Sequence, residues 1–166
     1  IAVARHREEF GARALGNRSI IANPSMLNVV QEINEAIKNR DFWMPFALTV
    51  MSDKQKLVLK NPKKINSNFM TIGFDTVNKN LNLFKAGTHP YDATVRPQIL
   101  EKKHNANFYK IINSFYKLTG IPAVLNTSLN LHGKPISSTL KDVIYTFENS
   151  GLKYLYINDD ILIIKK

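Results

Sequence analysis

Apolar positions recur at two periods along this chain, and the switching between them lays out an alternating order of helices and strands. Asn23 followed by Pro24 predicts a helix start, with an amide free to cap and a proline where no N–H is needed. Leu27, Val30, Ile33 and Ile37 then fall three to four residues apart and predict a helix ending near Arg40. Residues 45–51, PFALTVM, are too short and too rich in strand formers to prolong it and predict a strand. Residues 52–68 predict a basic surface loop holding a short strand, and 69–77, FMTIGFDTV, a buried strand followed by an Asn- and Lys-rich loop. Phe108, Ile111, Ile112, Phe115 and Leu118 restore the helical period, which stops at Gly120 with Pro122 beyond. Residues 122–126 predict a strand running into a polar loop. Thr139 and Asp142 have capping-box spacing, opening a helix through Val143, Ile144 and Phe147 to Gly151. YLYIN and ILIIK then flank Asp159 and Asp160 as a two-residue hairpin. There is no internal repeat and no low-complexity tail.

Composition narrows the class. With 166 residues and 44% apolar content the chain can bury one real core. It has no apolar run near the length of a membrane span, and its opening residues IAVARHREEFG lack the apolar centre and cleavage signal of a secretory peptide. They start without Met and run straight into a dense motif, so a piece of a longer, cytoplasmic protein is expected. Cysteine is absent, which removes disulfides, thiolate nucleophiles and Cys-based zinc sites together. His6, His89, His104 and His132 show no pair at ligand spacing, and no metal site is expected. The net charge of +10 favours an anionic partner.

Arginine placement sharpens that expectation. Of 23 basic residues only six are Arg, and four of these, Arg5, Arg7, Arg13 and Arg18, lie in the first 18 positions; Arg40 and Arg96 are the others. A chain that spends Lys on ordinary surface and keeps Arg for few places points to sites needing the planar fork, which grips a phosphate or carboxylate with two parallel hydrogen bonds. The opposing reading is a solvated basic end. Three polar strings interrupt the regular pattern at element edges. Residues 9–19, EFGARALGNRS, bracket Arg13 with glycines that let backbone N–H groups approach an anion. Residues 89–98, HPYDATVRPQ, hold His89, Asp92, Arg96 and Gln98 between stiffening prolines. Residues 126–130, NTSLN, present Asn126, Thr127, Ser128 and Asn130 where a strand ends, a place suited to nucleotide or phosphate. Each string alone is also what plain turns are made of.

In this order the strings carry a resemblance. EFGARALGNRSIIANP, INEAIKNRDFWMPFALTV, HPYDATVRPQ and FYKIINSFYKLTGIPAVLNTSLNLHGKPI cover most of residues 9–136, and with them the chain resembles the C-terminal domain of the O-carbamoyltransferases, enzymes of nodulation and antibiotic tailoring. The resemblance implies an α/β fold of YrdC type, a twisted open mixed sheet with flanking helices, spanning 1–166. It implies ATP-dependent formation of carbamoyl adenylate from carbamoyl phosphate, with Mg2+ accompanying the nucleotide. The carbamoyl group would then pass to the hydroxyl of a sugar or related small molecule on a preceding actin-like ATPase-superfamily domain, to which nothing in this sequence corresponds. On that reading Arg13, Arg18 and Arg96 do the catalytic clamping. Asn17, Lys38, Arg40, His89, Asp92, Asn126, Thr127, Ser128 and Asn130 bind nucleotide or phosphate. The chain departs from the family pattern at Ala12, where Pro is usual, at Met44, where Arg is common, and at Leu129, where an aromatic is usual; one extra residue separates His89 from Asp92.

The weaker candidates read as structure. Glu8 and Glu9 are expected on a solvated face, Phe42, Trp43 and Phe46 in the core, and the lysines between Lys54 and Lys64 on a mobile loop. The rival function is a basic nucleic-acid-binding module of the same fold, supported by a pI near 9.8. Against it, the arginines cluster in loops with Asn, Asp and Thr, as a small-molecule pocket requires.

Overall fold

The computed structural model describes residues 1–39 and 44–166. A seven-stranded open mixed sheet forms the centre, in the order β6-β3-β7-β2-β1-β8-β9. Its strands are β1 (Ala2–Ala4), β2 (Arg18–Ala22), β3 (Ala47–Met51), β6 (Gln98–Leu100), β7 (Ala123–Ser128), β8 (Tyr154–Ile157) and β9 (Ile161–Ile164). β3–β6 and β1–β8 pair in parallel and the other neighbours antiparallel. β4 (Phe74–Asp75) and β5 (Thr94–Val95) form a separate two-stranded ribbon. Helices α1 (Asn28–Ile33), α2 (Ala106–Thr119) and α3 (Leu140–Glu148) flank the sheet. The expected α/β class with an open mixed sheet is therefore present.

Alternation along the strands explains the layers. Ala2, Ala4, Ile20 and Leu125 point to one face, where they pack with Val29, Ile33 and Ile37 of the first helical segment and with Val143 and Phe147 of α3. Val3, Ile21 and Val124 point to the other, onto Phe108 and Ile112 of α2. A third cluster, with Leu48, Val50, Phe74, Phe84 and Val95, lies under the ribbon.

Several local expectations are corrected. Asn23 does not cap a helix: its Oδ1 accepts from Ser25 N and Oγ at 3.0 and 2.8 Å, forming a turn of its own, and α1 starts five residues later. The helix continues as a π-helical turn, Asn34–Lys38, so the buried stripe is Val29, Ile33 and Ile37 while Leu27 is exposed. Residues 69–77 are not one strand; Phe69 is exposed, Met70 has a left-handed φ of 57°, and the strand within them shrinks to Phe74–Asp75. In the basic stretch Ser52–Leu57 is a 3-10 helix, and the expected short strand reduces to a single bridge between Leu59 and Thr76. The final hairpin turns through three residues, Asn158 to Asp160, because Ile157 pairs with Ile161. Phe46 is in the core as expected. Phe42, Trp43 and Arg40 lie outside the described residues. The capping box of α3 is present: Thr139 Oγ1 accepts from Asp142 N, and Asp142 Oδ2 accepts from Thr139 N.

Candidate functional site

Topology brings the three polar strings to one end of the sheet. β7 runs antiparallel to β3 and β2, so Ser128 at its end lies beside Ser19, and Asn126 beside Ala47 at the start of β3. The β1–β2 connection and the turn before β6 arrive at the same end. Between them opens a cleft of about 520 Å³, lined from the first string by Arg13, from the second by His89, Asp92 and Arg96, and from the third by Asn126, Thr127 and Ser128. Arg13 and Arg96 are exposed, and neither guanidinium has a hydrogen bond or ion pair among the described residues.

The loop carrying Arg13 is held from both sides of its backbone. Glu9, expected on a solvated face, instead accepts the N–H groups of Leu15, Asn17 and Arg18 on Oε1 at 2.7, 2.6 and 3.3 Å. Gly16 has φ near 115°, and a Cβ there would sit 2.2 Å from the Phe108 ring, so no other residue fits without displacing it. Its carbonyl accepts from Arg5 at 2.6 Å. Arg5 is 1% exposed, ion-paired to Asp159 at 3.1 Å and stacked 5.5 Å from the centre of Phe108, which ties the loop to the last hairpin and to α2.

A buried polar chain crosses three strands beneath the cleft. Asn126 Nδ2 donates to Thr49 Oγ1 at 2.9 Å and to Ala14 O at 3.1 Å. Thr49 Oγ1 donates to Gln98 Oε1 at 2.8 Å, and Gln98 Nε2 to Leu15 O at 3.2 Å. The chain fixes residues 14 and 15, next to Arg13, on the sheet itself. The remaining acceptor of Asn126, Oδ1, is buried without a partner among the described residues.

His89, Asp92 and Thr94 form a tight turn. Asp92 Oδ1 accepts Thr94 N and Oγ1 at 2.9 and 2.8 Å and lies 3.2 Å from His89 Nδ1. Those two bonds from Thr94, then the imidazole, hold the Asp92 carboxyl below its ordinary value. Ala93 takes the left-handed φ of 56° that closes the turn.

The other expected site residues stand away from the cleft lining. Arg18 is buried; its guanidinium donates to the carbonyls of Arg5, Asn17, His6 and Ser138 at 2.6 to 3.2 Å, which closes the connection between β1 and β2. Burial pushes Arg18 down, with Glu9 and then Glu8 opposing. Asn17 donates to Arg7 O and accepts from Asn105. Lys38, 2% exposed, donates to Ser128 Oγ at 3.1 Å and Asn130 Oδ1 at 2.7 Å, so it stands directly behind a cleft residue. Sequence reading missed Thr49, whose signal is a lone hydroxyl in an apolar strand, and Glu9.

A family model for the carbamoyltransferase C-terminus matches residues 1–165. The chain belongs to the carbamoyltransferase C-terminal family. An uncharacterized protein of Methanocaldococcus jannaschii is 41% identical over 98% of the chain, which covers 31% of that protein. Nodulation protein NolO of Bradyrhizobium diazoefficiens is 35% identical over 91% of the chain, covering 28% of NolO. A 3'-hydroxymethylcephem-O-carbamoyltransferase of Amycolatopsis lactamdurans is 28% identical over 96%, covering 29% of that enzyme. This carbamoyltransferase domain thus spans under a third of these relatives. No helix among its described residues is long and apolar enough to cross a membrane.

Proposed function

We propose that this domain activates the carbamoyl group: it holds ATP and carbamoyl phosphate in the cleft and forms carbamoyl adenylate for transfer to a hydroxyl of a sugar or related small molecule elsewhere in the full protein. One observation carries the reading. In a carbamoyltransferase domain, two guanidiniums without partners among the described residues, Arg13 and Arg96, line the same cleft as the hydroxyl- and amide-bearing strand end Asn126 to Ser128. Two phosphorylated compounds in one cleft bring dense negative charge together, and cations already present at the cleft offset the repulsion.

Each group then has a task. Arg13 and Arg96 grip phosphate oxygens in paired hydrogen bonds. Ser128 and His89 line the cleft beside them: the Ser128 hydroxyl accepts from Lys38 and donates to Asn130 Oδ1, and the His89 imidazole lies 3.2 Å from the Asp92 carboxylate. Mg2+ would enter with the triphosphate and spread its charge. The chemistry balances with one water: it takes the phosphoryl group from carbamoyl phosphate, and the carbamate oxygen so freed bonds to the α-phosphorus of ATP as pyrophosphate leaves. Positioning and charge stabilisation supply most of the catalysis in such transfers, so no side-chain nucleophile is required.

The test is pyrophosphate release from ATP and Mg2+ by the chain, with and without carbamoyl phosphate. Release that depends on carbamoyl phosphate supports the reading. Release of equal rate without it, or none in the full-length protein, contradicts it.

A further inference from the structure

β9 ends the sheet and, among the described residues, pairs only with β8. Its sequence is Ile-Leu-Ile-Ile, and Ile161, Leu162 and Ile164 are 56, 52 and 57% exposed. Proteins usually blunt such an edge with Lys, Pro or a bulge, since its free backbone groups template another strand. None of these interrupts β9. The adjacent Lys165 is turned away: its ammonium caps the end of α3 through the carbonyls of Phe147, Glu148 and Ser150.

Backbone parity decides how a strand could join. Lys165 N donates to Lys153 O at 2.9 Å, so the odd-numbered residues of β9 turn their backbone groups toward β8. Leu162 and Ile164 therefore turn theirs outward. Their side chains share a face with Tyr156 and Tyr154, their cross-strand partners, while Ile163 packs on the core below. Asp160 and Lys166 flank the strand, both exposed and without an ion pair among the described residues.

We infer that β9 is the interface between two copies of this chain, joined antiparallel about Ile163. In that register Leu162 of each copy lies opposite Ile164 of the other, using the outward backbone groups, and Asp160 lies opposite Lys166 at both ends. The charge pattern is self-complementary about its centre. A slip by one residue would present backbone groups already bonded to β8, and a shift by one full pair would set Asp160 opposite Ile164. The two sheets then run on as one, and the apolar face of Tyr154, Tyr156, Leu162 and Ile164 becomes continuous across the two-fold axis.

Sedimentation of the chain from micromolar to near-millimolar concentration should show a monomer–dimer equilibrium. Asp160→Lys and Lys166→Asp should each weaken it about tenfold by setting like charges opposite. An equimolar mixture of the two variants should recover the parent affinity, because in the mixed dimer both end pairs are opposite in sign. Ile164→Pro should abolish the dimer by removing an outward N–H, with circular dichroism and melting near the parent because that group bonds nothing within one copy. A monomer throughout the range, or a dimer indifferent to the charge reversals, overturns the proposal.

Discussion

Arg18 and Arg96 put the same guanidinium to opposite uses. Arg18 spends its donors on four backbone carbonyls, whereas Arg96 stands at the cleft with none of its donors taken among the described residues. Arg18→Lys should therefore lower stability in urea denaturation by about 2 kcal/mol, since one ammonium cannot satisfy that set. Arg96→Lys should leave stability within about 0.5 kcal/mol of the parent. For ATP or carbamoyl phosphate the loss is reversed: Arg96→Lys should weaken binding by about 1.5 to 3 kcal/mol, the range for hydrogen bonds to a charged group. Lys63→Ala, on an exposed loop residue, should change neither by more than about 0.5 kcal/mol. Equal binding by Arg96→Lys and the parent would remove Arg96 from the site. Arginine scarcity in the sequence pointed to special positions, but it does not tell a guanidinium bound to protein carbonyls from one kept for a ligand. That distinction depends on which strands bring the carbonyls, a long-range matter.

Among the elements, α3 and the glycine loop give the sharpest tests. Thr139→Ala removes the capping hydroxyl and should cost about 1 kcal/mol. The hydrogen bonds from Thr139 N and Oγ1 hold the Asp142 carboxyl below its ordinary value. Because the folded value is depressed, the unfolded chain binds the proton more readily, and the contribution is present above the ordinary carboxylate value and lost as pH falls through the lowered one. Urea denaturation from about pH 5 to about pH 2 should accordingly show a shallower loss of stability in Asp142→Asn than in the parent. Gly16→Ala, with its left-handed φ and the Phe108 ring in the way, should destabilise by about 2 kcal/mol or more. The capping box, α2 and the last hairpin were legible because their signals are local. β1 and β2 were not, being only three and five residues long; their neighbours across the sheet, not their own pattern, make them strands. The expected strand at 69–77 failed for the converse reason: an apolar run whose left-handed residue at Met70 breaks the pairing.

At the scale of the whole molecule, convergence of the three polar strings was legible as a list of residues but not as a place. The cleft exists because β7 runs against both β3 and β2, which sets the end of one string beside the others. The network through Thr49 and Asn126 and the Glu9 carboxylate then fix the loop that presents Arg13. Charge gives a further discriminator. A net charge of +10 would support loose nucleic-acid binding with a steep dependence on salt, from many released counterions. Binding through two clustered guanidiniums should have a shallow one. The most direct measurement is calorimetric titration of the chain with ATP and Mg2+, alone and with carbamoyl phosphate present. A saturable one-to-one heat that Arg96→Lys weakens and Lys63→Ala leaves unchanged is the predicted result; no saturable heat with millimolar ATP and carbamoyl phosphate together would contradict the assignment of the cleft.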